Sequence, residues 1–300
     1  MSGITAPIIA RRLGGALEPV IGQVYFSPES HAAYAELGFD PSAREADGVA
    51  LPDGPAYFTS RGSLMGQVRG EVVASAFAVF NPAVVVPAVT HGWSLTDAET
   101  ICAARDRGAL GQLERILGPD PDGRERVEEL LTRATDGLSV EGRPLAAGIT
   151  GLDVPDHAFG AVFRLGDLLR EYRGDSHTAA WIGAGFDAIQ IGLLTELYWG
   201  LPTRSYSRTR GWSDAQYDVA EDLLRSRGLL DADGAFTDAG RSAREDVEIA
   251  TDSMMSPVLD ALGDDVDELI RLLTPWGAAV RAAKGYLGSG PHDLADRTSG

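Results

Sequence analysis

A chain of 300 residues with 44% hydrophobic content can bury a substantial core, which excludes general disorder. Its net charge of -18 sets up a negative field that repels phosphate backbones and anionic lipid surfaces, so nucleic acid is not an expected partner. Lys284 is the only lysine and Cys102 the only cysteine, which leaves one candidate for Schiff-base chemistry and excludes an intrachain disulfide, a CxxC redox pair and a cysteine-rich zinc site.

The N-terminal stretch lacks the basic segment and apolar core of a secretory signal, and a cytoplasmic location is the expectation. Periodicity predicts a first helix over 7–21, ending near Glu18-Pro19, and the "SPES" at 27–30 caps a second through Tyr34 and Leu37. Residues 40–57, rich in Pro, Gly and Asp, read as a loop. From Val72 to Thr96 there is no charged residue, but Asn81, Pro82 and Pro87 interrupt the run. It reads as a buried core helix followed by a turn, not as a membrane span. Helices are predicted over about 69–80, 97–117, 122–135 and 156–172, and no repeat at solenoid spacing is visible. A division into an N-terminal helical domain, 1–155, and a second helical domain, 156–300, follows from this layout.

The stretch "EYRGDSHTAAW" at 171–181 reads as an interhelical corner, with Gly174 ending one helix and Asp175 capping the next, which runs to about Tyr198. Ile182, Phe186, Ile189, Leu193 and Leu197 would form that second helix's buried face. Further on, Ser213 caps a helix, "DADGAFT" is a tight hairpin with Asp233-Gly234 at its turn, and "DAGRSAREDVE" opens another helix. The expected fold is therefore mostly α: a multi-helix protein with a C-terminal winged helix-turn-helix-like element whose wing is a short β-hairpin.

Several segments carry a family resemblance: "LEPV" and "YF.PE" at 17–29, "FNP" at 80–82, "LLREYRGDSH" at 168–177 and "RGWSDAQY…RGLLDADGAFTDAGR" at 210–241. Together they resemble the SCO6745-like family of actinobacterial helix-turn-helix proteins, and the hairpin run resembles the wing of MarR-type regulators. The resemblance implies a winged-helix scaffold over roughly 8–285. In relatives, histidines stand at places that here hold Ile21, Arg164 and Tyr172, and only His177 remains. A metal or haem held by several imidazoles is therefore not expected to be held the same way here.

The predicted recognition helix, 213–227, carries Asp214, Asp218, Glu221 and Asp222 against Arg225 and Arg227, the wrong electrostatic footprint for DNA. Arg204, Arg208 and Arg210 form at most a small basic patch. "GAGFDA" at 183–188 matches G-x-G-x-x-A, but without a preceding strand it reads as small residues permitting close helix packing. The histidines at 31, 91, 157, 177 and 292 show no metal-ligand spacing, and the cofactor remains unknown.

His177, at the second position of a helix, would be kept neutral by the helix dipole and could act as a base, a donor or a ligand. Glu18, Tyr25, Asn81, Asp187 and Glu196 are polar groups in apolar surroundings, expected to pair with arginines such as Arg61 and Arg173 or to line a pocket. The expected site thus comprises His177 and Asp175 as candidate catalytic residues. Glu18, Tyr25, Arg61, Asn81, Tyr172 and Arg173 are the candidate ligand contacts, between the N-terminal helices and 176–198. The expected function is small-molecule binding, with a homodimer as the assembly. The alternatives are a biosynthetic enzyme using His177 as general acid or base, oriented by Asp175 or Glu18, and a ligand-responsive transcription regulator.

Overall fold

In the computed structural model, residues 6–42 and 44–288 are described, and they form a mostly helical protein with one two-stranded sheet. Helix α1 (Ala6–Ile21) carries Pro19 within its last turn. Ser27 accepts the Ser30 N–H at 3.1 Å and so caps α2 (Pro28–Glu36). The segment expected as a loop contains an antiparallel hairpin, β1 (Glu45–Ala46) and β2 (Val49–Ala50). Asp47 and Gly48 both take positive φ, the two-residue turn that Asp-Gly favours. The same segment then starts α3 (Gly54–Gly62), capped by Asp53.

The charge-free run is two helices, α4 (Gly70–Phe77) and α5 (Pro82–Leu95), because Asn81 caps α5 and Pro82 suits its first position. Among the described residues, no helix is long and apolar enough to cross a membrane. Next come α6 (Ala98–Leu117), α7 (Arg124–Thr135), α8 (Pro144–Thr150), α9 (Gly160–Gly183) and α10 (Ala188–Tyr198). A 3-10 turn (Ser207–Arg210) leads into α11 (Asp214–Ser226), and α12 (Asp238–Ser253), α13 (Ser256–Leu262) and α14 (Val266–Ala282) complete the order. Between α11 and α12 a single antiparallel bridge joins Leu230 to Phe236, the tight hairpin foreseen from Asp233-Gly234.

Helix α1 packs along α14 and α9, α2 lies on α6, and α9 touches α7, α8 and α12. One apolar cluster includes Leu17, Val20, Phe77, Leu113, Phe163 and Leu273, so the expected boundary at residue 155 does not separate two cores. A smaller cluster, with Trp181, Leu194, Tyr217, Leu224 and Val247, fills the space where the end of α9 meets α10, α11 and α12.

The main correction concerns the corner. Helix α9 runs unbroken through Arg173, Gly174 and Asp175 to Gly183, and the joint lies eleven to twelve residues later. There Gly185 takes φ +75° and Asp187 caps α10 in a reciprocal capping box with Gln190. Both places offer a glycine stop and an aspartate cap. Tertiary burial chooses between them: Tyr172, Arg173, Asp175 and Ser176 are all buried, which outweighs the cost of about 1 kcal/mol for a helical glycine. Ile182, expected in the core, is 56% exposed. The "GAGFDA" run is this joint and not a packing stripe, since a Cβ at Gly183 or Gly185 would meet nothing within 4 Å.

Candidate functional site

A cavity of about 300 Å³ opens between α1, α3, α4, α9, α10, α12 and the 3-10 turn. Its volume falls within the range of small-molecule sites. Helix α9 supplies one wall with Arg170, Arg173, Asp175, His177 and Trp181, which a helix broken at Gly174 could not align.

Of the sequence candidates, Glu18, Arg61, Arg173, Asp175 and His177 line this cavity, and Tyr25, Asn81 and Tyr172 do not. Tyr25 is buried beneath it, 3.3 Å from both Glu171 Oε1 and Arg105 Nη2. Tyr172 is buried on the far side of α9, where Arg143 stacks 4.1 Å from its ring centre. Asn81 caps α5, and its side-chain amide donates to the Gly211 carbonyl at 2.9 Å.

The charged groups form two networks. In the first, Arg61 makes a two-pronged contact with Glu171 at 2.9 and 2.6 Å, and Arg170 holds Glu18 through two 3.0 Å bonds while also reaching Glu171 at 2.9 Å. Burial raises the Glu171 pKa, but the guanidiniums of Arg61 and Arg170 overcome it and hold the carboxylate down at about 2. Glu18 also accepts the Tyr286 hydroxyl at 2.9 Å. In the second network, Arg173 donates to Glu248 and Asp252 at 3.1 and 3.0 Å, and Arg244 donates to Glu248 at 2.7 Å.

His177 joins this second network. Its Nδ1 lies 3.0 Å from the Thr251 hydroxyl and 3.9 Å from Glu248. The Thr251 hydroxyl donates its one proton to the Val247 carbonyl at 2.8 Å, so Nδ1 carries the imidazole proton and Nε2 presents a lone pair. Burial, opposed by Glu248 and reinforced by Arg244 and Arg173, pushes the His177 pKa down to about 4. The ring is neutral as expected from the sequence, but burial causes it, since His177 is not at a helix N-terminus.

The expected partnership of Asp175 or Glu18 with His177 is also corrected: the nearest carboxylate is that of Glu248. Asp175 accepts the backbone N–H groups of Leu145 and Ala146, both at 3.0 Å, and thereby caps α8 from the middle of another helix. It is a cap, as the sequence suggested, but of a helix thirty residues upstream. Burial pushes its pKa up to about 6 in spite of those two donors.

The sequence reading missed Arg170, Glu171, Trp181, Arg210, Arg244 and Glu248. Glu171 had a visible signal: it stands within the apolar periodicity of Leu168, Leu169 and Tyr172. Arg244 and Glu248 have the i,i+4 spacing of an ordinary surface pair, and packing against α9 buries them. The remaining singled-out groups are structural: Asp187 caps α10, and Glu196 accepts the N–H groups of Arg204 and Ser207, both at 2.6 Å.

Among the described residues no cluster of three or more His, Cys, Asp or Glu could hold a metal ion. His31 binds the Tyr25 carbonyl and His157 faces Glu114, while His292 lies outside the described residues. Three arginines near α11 are paired with its carboxylates: Arg204 with Asp218 and Glu221, Arg208 with Asp214, and Arg225 with Glu221 and Asp222.

Residues 10–287 match a helix-turn-helix family. The chain belongs to that family. No curated protein and no solved structure matches it.

Proposed function

We propose that this helix-turn-helix family member binds a small organic molecule in the cavity beside α9. One observation carries the reading. Around the cavity, Trp181 Nε1, Arg173 Nε, and Arg244 Nε and Nη1 are buried donors with no acceptor among the described residues. An unpaired buried donor costs about 1–3 kcal/mol, and a ligand bearing oxygen acceptors would remove that cost. Under this proposal the α11, hairpin and α12 stretch is a winged element of MarR type with a structural role, because Arg204, Arg208 and Arg225 are committed to carboxylates of α11. Native mass spectrometry of the purified protein tests the binding reading: a retained or added small molecule supports it. Loss of that mass in Trp181→Phe and Arg244→Met would locate it.

Two other readings have an observation each. The helix-turn-helix family description favours nucleic acid, and tight, salt-sensitive binding of duplex DNA at low ionic strength would establish it over the structural role. The Nε2 lone pair of His177 favours general-base chemistry on the bound molecule. In that case His177→Ala would abolish turnover while the melting temperature stays nearly unchanged.

A further inference from the structure

Five arginines line the cavity: Arg61, Arg170, Arg173, Arg210 and Arg244. Four of them have carboxylate partners. Arg210 has none within ion-pair distance among the described residues. Its Nη2 donates to the Tyr206 hydroxyl at 2.7 Å, and its guanidinium lies 4.3 Å from the Phe80 ring centre and 4.9 Å from that of Tyr206. Two aromatic faces shape the site without neutralising the charge, so donors of the guanidinium fork remain for another acceptor.

The position of Arg210 is also built. The backbone N–H of Asn81 donates to the Arg210 carbonyl at 2.9 Å, the Asn81 side chain holds Gly211, and Trp212 Nε1 donates to the Val79 carbonyl at 2.9 Å. Glu196 secures the other end through the Ser207 N–H. Asn81 and Glu196, both conspicuous in the sequence, thus serve to anchor the turn that carries Arg210.

We propose that the ligand is an organic anion, an aromatic or alicyclic carboxylate, and that Arg210 is its charge anchor. This rests on the cavity being the binding site. The sign of the charge follows from the lining: five arginines stand against the carboxylates Glu18, Glu171, Asp175 and Glu248. The cavity is therefore locally positive in a chain of net charge -18. The remaining unpaired groups at Trp181, Arg173 and Arg244 are donors, which suit an acceptor-rich guest. Phe77, Phe80, Ile191 and Trp199 give the apolar wall that a ring would cover. A planar guanidinium favours a carboxylate because the two can meet through paired N–H···O bonds.

The test is isothermal titration of the full chain with matched acid and alcohol pairs: benzoate and benzyl alcohol, cyclohexanecarboxylate and cyclohexylmethanol, 2-naphthoate and 2-naphthylmethanol. The expected result is that at least one acid binds tenfold or more tightly than its alcohol. Arg210→Gln should then remove that preference while leaving alcohol affinity unchanged, and Arg210→Lys should restore part of it. Should Arg210→Gln fail to fold, Tyr206→Phe, which frees the guanidinium from its orienting bond, is expected to weaken acid binding severalfold. Acids and alcohols binding alike, or an acid preference that survives Arg210→Gln, would overturn the anion assignment and leave the cavity reading intact. No binding by any member of the panel would overturn both.

Discussion

Asp175 supplies the sharpest physical test, because it is a buried carboxylate whose charge the fold resists. Its pKa is pushed up from 3.8 to about 6 by burial, against the opposing pull of the Ala146 and Leu145 N–H groups. At about 1.4 kcal/mol for each tenfold change in proton affinity, this amounts to about 3 kcal/mol. The folded pKa lies above the unfolded one, so the folded state holds the proton more tightly. The stability that Asp175 contributes is full below pH 3.8 and is lost as the pH rises through about 6. Asp175→Asn keeps an oxygen that can accept both N–H bonds and never acquires the charge. Its stability relative to the parent should therefore increase by about 2 kcal/mol between pH 4.5 and pH 8. For a chain of this size that is about 4 °C in melting temperature, readable by calorimetry across a pH series. Comparing the two proteins at each pH removes the contribution of His177, which is common to both. Asp175→Ala, which loses the acceptor as well, should be the less stable variant throughout, by about 1–3 kcal/mol relative to the Asn form. A difference between parent and Asp175→Asn that does not change with pH would refute the reasoning, because it would mean the carboxylate carries no burden of buried charge.

Three further outcomes are expected. The His177 ring, with its pKa pushed down to about 4, should show no titration of its NMR signals between pH 5.5 and 8, with Nδ1 as the protonated nitrogen. Glu171→Gln leaves the buried guanidiniums of Arg61 and Arg170 without their shared carboxylate, and should cost about 3–5 kcal/mol, measured by the urea midpoint. At Gly108 an added Cβ would sit 2.3 Å from the Ser30 backbone where α2 lies on α6. Gly108→Ala should therefore lower stability by at least about 1–3 kcal/mol, although alanine is the better helix former.

Local chemistry was legible in the sequence wherever a residue acts on its own neighbours. Ser27, Ser213 and Asp187 stand next to the helices they serve, and the caps at Ser27 and Ser213 are legible because capping spans only three residues. The mostly helical class and the hairpin around Asp233-Gly234 follow from the same short range. Gly174-Asp175 carried the same local signature as Gly185 to Asp187, and nothing within a few residues distinguishes them. The difference lies in the residues that α7, α8 and α12 bring against α9, which make a continuous helix the better burial. Only that packing turns Asp175 into the cap of α8, withdraws Arg244 and Glu248 from solvent, and draws Arg210 to a cavity wall some thirty residues along the chain from His177. The sequence by itself determined the mostly helical class, local caps such as Ser27 and Ser213, and the excess of negative charge. Which charges lost their water, and therefore which can hold a ligand or a proton, was decided by the tertiary structure, because desolvation depends on the neighbours that folding supplies.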